Sequence, residues 1–116
     1  MKPINIPFPD KLLWPNGPRG NVHAVKSAKD KAKNWATIAA MEAGARRFVA
    51  ENTPIPVRLI VYPKPSGPLP DRDNCVAAVK HSLDSIATVM GVNDRDFAAP
   101  TVEFGPRQSR IEVVIG

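Results

Sequence analysis

The chain has 116 residues, of which 43% are hydrophobic and 23% charged, a composition typical of one small globular domain spanning residues 1–116. Its single cysteine, Cys75, excludes an internal disulfide, and no apolar run approaches the roughly 20 residues of a membrane-spanning helix. The net charge of +5 lies in residues 1–33, with seven basic and two acidic side chains, which indicates a polyanion partner, nucleic acid first, or else a solvated helix face.

A short strand begins the chain. Ile4 and Ile6 alternate with polar or neutral neighbours, and Pro7 and Pro9 end the pattern, as is typical of an edge strand. Nothing before it has the form of a signal peptide, and the lone cysteine fits a reducing compartment. The sequence therefore predicts a soluble, cytoplasmic protein.

Residues 8–24 form a long predicted loop, rich in proline, glycine and asparagine. A loop of this length in a small domain is usually functional or mobile. Lys11, Trp14 and Arg19 could contact a nucleic-acid backbone, so Lys11 and Arg19 are DNA-binding candidates. Trp14 could equally cover the hydrophobic core.

The first helix is predicted from the capping-box pattern at 27–30 to about Asn52. Apolar residues recur in it at mostly three- and four-residue spacing, and they predict a core-facing stripe of Trp35, Ile38, Met41, Ala45, Phe48 and Val49. The basic side chains near its start lie largely outside this stripe. The DNA-binding candidates among them are Lys26, Lys29 and Lys33.

Residues 55–62 are rich in β-branched side chains on both faces and predict an internal strand. Residues 63–70 contain four prolines, so this segment is expected to be stiff and extended. It could hold the backbone of Asp71 in place or be a simple connection.

A second helix is predicted over residues 74–90, and acids flank it on both sides. Asp71 and Asp73 come just before it, and Asp94 and Asp96 come just after it. A straight helix of this length would hold its ends roughly 25 Å apart. For the two acid pairs to meet, the helix must be shorter than its pattern suggests, or the chain must fold back after it.

Two alternating segments end the chain. Val102 and Phe104 alternate with polar residues, a turn follows at residues 105–108, and residues 111–115 alternate again, which predicts a hairpin. The element order is β-α-β-α-β-β. We therefore expect an α+β fold with a mixed sheet and two helices.

The acids allow two interpretations. Asp71, Asp73 and Asp94 could form an oxygen-lined pocket for Mg²⁺, which takes carboxylate oxygens while keeping waters and a phosphate. Alternatively, aspartates before a helix are common N-caps, and those after it are ordinary turn residues. No glycine-rich phosphate loop, zinc signature or nucleophile elbow is present, which excludes most other enzyme classes.

The acidic pattern resembles the signature of the RusA family of Holliday-junction resolvases. It consists of Asp71-Arg72-Asp73-Asn74, a helix with Lys80 and Asp84, and then Gly91-Val92-Asn93-Asp94. The N-terminal Ile-Pro-Phe-Pro segment and the order of elements are also similar, so the resemblance spans nearly the whole chain. It implies a magnesium-dependent homodimer, often prophage-encoded, that acts in DNA recombination and repair by nicking four-way junctions symmetrically.

The resemblance assigns roles to individual residues. Asp71, Asp73 and Asp94 correspond to the metal-binding carboxylates, and Lys80 to the catalytic lysine, although Lys80 could simply pair with Asp84 on the helix surface. Arg72, between the first two acids, is a further DNA-binding candidate. The alternative function is a DNA-binding protein of the same fold without catalytic activity, and a third possibility is a structural domain with no site.

Overall fold

The computed structural model describes all residues from 1 to 116 as an α+β fold with a mixed four-stranded sheet and three helices. The strands are β1 (Ile4–Pro7), β2 (Val57–Tyr62), β3 (Thr101–Phe104) and β4 (Arg110–Ile115), and the helices are α1 (Val22–Glu42), α2 (Arg72–Ala78) and α3 (Lys80–Met90). The expected α+β class and mixed sheet are confirmed. The expected number of two helices is wrong, because the second predicted helix is divided into α2 and α3.

The sheet has the order β1-β4-β2-β3. Strand β4 pairs antiparallel with both β1 and β2, and β3 pairs parallel with β2. The prediction of an edge position for β1 and an internal position for β2 is confirmed. The predicted terminal hairpin is wrong, because β3 and β4 lie on opposite sides of β2, and the alternation of apolar residues does not specify which strands are neighbours.

The core lies between one face of the sheet and the helices. Alternate residues of the strands are fully buried on this face, among them Ile4, Leu59, Val61, Ile111 and Val113. The opposite face is partly exposed and carries an ion pair between Arg58 and Glu103. No helix combines the length and the hydropathy that crossing a bilayer requires.

Helix α1 differs from its prediction at both ends. It begins earlier, because the Asn21 side chain accepts a 2.7 Å hydrogen bond from the backbone N–H of Ala24 and caps the helix. The predicted capping box at Ser27 is absent, since Ser27 lies inside the helix. The helix ends at Glu42, because Gly44 adopts a left-handed conformation with φ of 85°.

The predicted core-facing stripe is wrong in phase within α1, although Ala45 and Phe48, which follow the helix, do lie in or against the core. Trp35 is 57% exposed and Ile38 is 60% exposed. The buried face consists instead of alanines, with Ala28, Ala36 and Ala40 spaced at multiples of four residues. Small side chains let the backbone of α1 lie close to α3 and the sheet, which leaves the large apolar residues outside.

The second predicted helix breaks at Val79. This residue has φ of −98° and ψ of 4°, so it ends α2 and precedes the first residue of α3. Val79 itself is fully buried. The break changes the direction of the chain without a glycine or proline, and the sequence pattern therefore did not reveal it.

Candidate functional site

The proline-rich segment 63–70 leads directly into the first acids and is anchored by an arginine. The guanidinium of Arg107 donates hydrogen bonds to the backbone carbonyls of Lys64 at 2.8 Å and Gly67 at 3.0 Å. These bonds tie the turn before β4 to the segment that precedes α2. The expectation that this segment positions the backbone of Asp71 is thus supported by a specific contact.

Asp71 is the N-cap of α2. Its carboxylate accepts a 2.8 Å hydrogen bond from the backbone N–H of Asp73, and both side chains are exposed. Between them in sequence, Arg72 donates a 3.3 Å hydrogen bond to the carbonyl of Val102 and lies 5.1 Å from the Phe104 ring centroid. The first acidic motif therefore caps α2 and connects it to β3.

The chain folds back after α3. Gly91, with φ of 75°, ends the helix in a left-handed conformation, and the N–H of Val92 donates to the carbonyl of Ala87. Residues 94–96 then form a single 3₁₀ turn. Asn93 and Asp96 form a capping box around this turn, with the Asp96 carboxylate accepting from the Asn93 N–H at 3.1 Å.

Backbone pairing fixes the segment after this turn. Ile55 donates to the carbonyl of Asp96 at 2.7 Å and accepts from the N–H of Ala98 at 2.8 Å. The segment is thereby held at the start of β2. Because Asp96 is engaged in the capping box, Asp94 is the acid that remains free to face the helix.

The fold-back brings Asp94 against Asp84. These two carboxyl groups lie within hydrogen-bonding reach of each other, and Lys80 lies one helical turn before Asp84. All three line a cavity of about 240 Å³, whose apolar wall includes Leu83 and Phe97. No ion pair forms between Lys80 and Asp84, so the alternative of a simple helix-surface pair is not what the structure shows.

The environment of Asp84 favours its neutral form. Burial raises the pKa of this carboxyl, and the adjacent Asp94 raises it further through a shared hydrogen bond and its negative charge. The charges of Lys80 and His81 act in the opposite direction. Such a carboxyl pair can share a proton or a cation.

The three carboxylates expected to hold a metal do not come together. Nowhere in residues 1–116 do three or more histidine, cysteine, aspartate or glutamate side chains form a group that could hold a metal ion. The acids that meet are Asp84 and Asp94, while Asp71 and Asp73 remain at the start of α2 and line no part of this cavity.

Two of the basic candidates lie beside α3. The charges of Lys29 and Lys33 on α1 contribute to lowering the pKa of His81, whose largest cause is the burial of the ring. Together with Lys80 they form a cationic flank around His81. We call these four residues the basic flank.

The other DNA-binding candidates have varied surroundings. Lys26 is paired with Asp30 at 2.8 Å, which offsets its charge, and Arg19 is exposed in the loop before α1. Lys11 lines a groove of about 510 Å³ between the N-terminal loop and the proline-rich segment, with Trp14 and Lys64 also in its wall. Asp71 lines the same groove.

The sequence left two roles open for Trp14, and the structure shows the one of covering the core. Its ring stacks on Phe8 with centroids 5.3 Å apart, and its Nε1 donates to the carbonyl of Pro9 at 3.1 Å. It packs against the core, yet it also contributes to the groove with Lys11.

Sequence reasoning did not place Asp84 or His81 in the site. Asp84 was part of the acidic pattern, and its position one turn after Lys80 on the same helix face was a usable signal. The proximity of Asp84 to Asp94 depends on the tight reversal at Gly91, and the effect of the Lys29 charge on His81 depends on how α1 packs against α3. Neither arrangement follows from spacing along the chain.

Comparison with known proteins shows similarity to a bacterial protein. The chain is 33% identical over 109 residues to an "uncharacterized protein" of Xylella fastidiosa (strain Temecula1), and the match covers 89% of this chain and 67% of that protein. No family model matches the chain.

Proposed function

The chain belongs to the same family as this Xylella fastidiosa protein, and we propose that it is a magnesium-dependent endonuclease that resolves four-way DNA junctions. The proposal includes the resemblance to the RusA family, an action in DNA recombination and repair, and a cytoplasmic location. The observation that carries it is the meeting of Lys80, Asp84 and Asp94 at one cavity next to the basic flank.

The donor set of this cavity fits magnesium. The ion is held in proteins by one or two carboxylates together with waters and substrate phosphates, and Asp84 and Asp94 supply two carboxylates in contact. Asp71 and Asp73, which the motif implies as further ligands, do not join them in one group. Magnesium would supply charge stabilisation at the phosphate and a lowered pKa of the attacking water.

The protein's own side chains would bind the phosphate and the DNA backbone. Lys80 offers an ammonium with three donors to a phosphate oxygen at the cavity mouth. Lys29 and Lys33 provide further positive charge for the DNA backbone on the α1 side. Leu83 and Phe97 form an apolar wall beside these charged groups.

A second candidate is a DNA-binding protein of the same fold without catalytic activity. It is favoured by the separation of Asp71 and Asp73 from the Asp84–Asp94 pair. In this case the basic flank binds DNA, and the acids serve as caps and turn residues. Both candidates predict junction binding, and they differ only in cleavage.

The test is incubation of the purified chain with a labelled synthetic four-way junction, with magnesium or with a chelator. We expect magnesium-dependent paired nicks from the wild type and from the control Glu51→Gln, which changes an exposed acid in a loop. Asp94→Asn should bind the junction and not cut it.

Two other results are decisive. Junction binding without any cutting by the wild type would establish the non-catalytic candidate. Cutting by Asp94→Asn at the wild-type rate would show that the acid pair is not the active site, and the same assay on Asp73→Asn then tests the first motif.

A further inference from the structure

The outer face of α1 carries an apolar stripe that no part of this chain covers. Trp35, Ile38 and Met41 are 57%, 60% and 42% exposed, and they follow one another at three-residue spacing along the helix. Charged residues stand at the two ends, with Lys31 before the stripe and Glu42 after it. Large apolar side chains grouped in this way are typical of interaction surfaces.

This face borders the edge of the sheet. A shallow cavity of about 580 Å³ is lined by Asn5 of β1 and by α1 residues that include Lys31, Trp35, Ile38 and Glu42. The free edge of β1 has no neighbouring strand, since β1 pairs only with β4. The stripe and the edge strand therefore form one continuous, accessible surface.

We propose that this surface is a two-fold interface in which α1 packs antiparallel against α1 of a second copy of the chain. The stripe is complementary to itself when its direction is reversed. With the two-fold axis between residues 36 and 37, Lys31 faces Glu42 of the partner subunit, and Trp35 faces Ile38 of the partner subunit. Ala32, which is half-buried, receives Met41 of the partner subunit.

Each of these contacts occurs twice, as two-fold symmetry requires. At each end of the interface, a lysine of one subunit then faces a glutamate of the other. A parallel arrangement would place like charges together. The charge pairs fix orientation and register, and the apolar centre supplies most of the affinity. Antiparallel helices packed at small crossing angles form contacts of this kind.

The charge pattern argues against nucleic acid as the occupant of this face. The stripe carries one cation and one anion around an apolar centre, whereas the lysines of the basic flank, Lys29, Lys33 and Lys80, are all cations. Lys31 and Glu42 are also about 16 Å apart along the helix, so they do not pair within one chain. The inference does not rest on the proposed nuclease function.

Charge exchange tests the register directly. Lys31→Glu places two carboxylates together at both ends, and Glu42→Lys places two ammonium groups there, so each should raise the dimer Kd at least about tenfold at low ionic strength. The double variant K31E/E42K should return to within about threefold of the wild type. Lys33→Glu makes the same change of charge on α1 outside the stripe and serves as the control.

A mixture of the two single variants should form a heterodimer, because each then offers the charge that the other lacks. Sedimentation equilibrium measures all these states, and circular dichroism checks that each variant is folded. A wild type that stays monomeric up to about 0.1 mM would overturn the proposal. So would a dimer whose Kd in both single variants equals that of the wild type, since the interface would then lie elsewhere.

Discussion

Two effects destabilise the charged form of the Asp84 side chain, namely burial and the neighbouring Asp94. Asp84 is partly buried in the cavity that Leu83 also lines, and its carboxyl lies close to that of Asp94. Both effects raise its pKa, which means that the negatively charged form is disfavoured in the folded state. A carboxyl that lowers stability at neutral pH is a common feature of functional sites.

Replacing Asp84 with asparagine should separate stability from activity. The amide keeps the size of the side chain and can donate a hydrogen bond to Asp94, while it removes the repulsion. We expect the melting temperature at neutral pH to rise by roughly 2–4 °C, or about 0.5 kcal/mol for a domain of this size. Calorimetry measures the rise, and the junction assay should show loss of cutting. A lower melting temperature would contradict this account of the pair.

His81 should make stability depend on pH. Burial lowers its folded-state pKa below the ordinary value of 6.5, the charges of Lys29, Lys33 and Lys80 add to this, and Asp84 opposes it. The unfolded chain therefore binds the proton more readily, so the contribution of His81 is fully present above pH 6.5 and is lost as the pH falls.

His81→Gln should flatten this dependence. Denaturant unfolding between about pH 7 and about pH 5 should show a smaller loss of unfolding free energy in the variant than in the wild type. His23→Gln removes a histidine from an exposed position in the first turn of α1 and serves as the control. Equal slopes in wild type and His81→Gln would show that the ring is not desolvated as described.

At the scale of elements, α1 presents three different faces. Alanines pack it against the core, the stripe of Trp35 and Ile38 faces outward, and Lys29 and Lys33 face α3. The lysines of the basic N-terminal segment therefore lie on different faces of the helix. Lys31 belongs to the stripe, and Lys26 is offset by Asp30.

The distribution of the lysines over the faces of α1 predicts which of them bind DNA. Lys29→Gln with Lys33→Gln should weaken junction binding and reduce the slope of log affinity against log salt by roughly 1–2, because up to two fewer counterions are released. Arg46→Gln with Arg47→Gln removes the same charge beyond the other end of α1 and should leave the slope unchanged. Binding measured by fluorescence anisotropy at several salt concentrations gives the slopes, and equal slopes for the two double variants would place DNA elsewhere.

Much of the element pattern was predictable, and the exceptions share a cause. Period-two alternation correctly located β1, β3 and β4, and the run of β-branched residues correctly located β2. The phase of α1 was misassigned because large apolar residues were expected inside, whereas the close approach of α1 to α3 requires alanine. The neighbours of β4 and the break at Val79 depend on tertiary packing, which local periodicity does not encode.

The same distinction applies to the site. The reversal after Gly91 was anticipated as a requirement for the acids to meet. Cys75 lies in the core, where burial raises its pKa to about 11. The partner of Asp94 was not identified. Whether Asp94 lies next to Asp84 or next to Asp73 depends on the path of the chain after the reversal at Gly91. Sequence spacing does not determine this path.

At the scale of the whole molecule, the two proposed surfaces lie toward opposite edges of the sheet. The α1 stripe borders β1, and the acid cavity includes residues 98–100, which lead into β3. These strands are separated by β4 and β2, or about 14 Å between the outer strands. A dimer through α1 therefore leaves both cavities open on its outer sides.

This arrangement predicts that paired cutting needs the dimer. Ile38→Asp should give a folded monomer that nicks one strand at a time, because its two sites no longer act in one complex. On a supercoiled plasmid with an extruded four-way junction, the wild type should produce linear product and the variant nicked circles. Ser27→Asp adds a charge to an exposed position elsewhere on α1 and is the control. Linear product from a monomeric Ile38→Asp would contradict the prediction.

The central position of β4 has a consequence for biosynthesis. Ribosomes release the N-terminal strands first, yet β1 has no partner in the sheet other than β4, and Ile4 pairs with Val113. The nascent chain therefore carries an unpaired, apolar first strand until residues 110–115 have left the exit tunnel. The sheet is completed only after β4 has emerged, and during that interval β1 and β2 are exposed to aggregation and to chaperones.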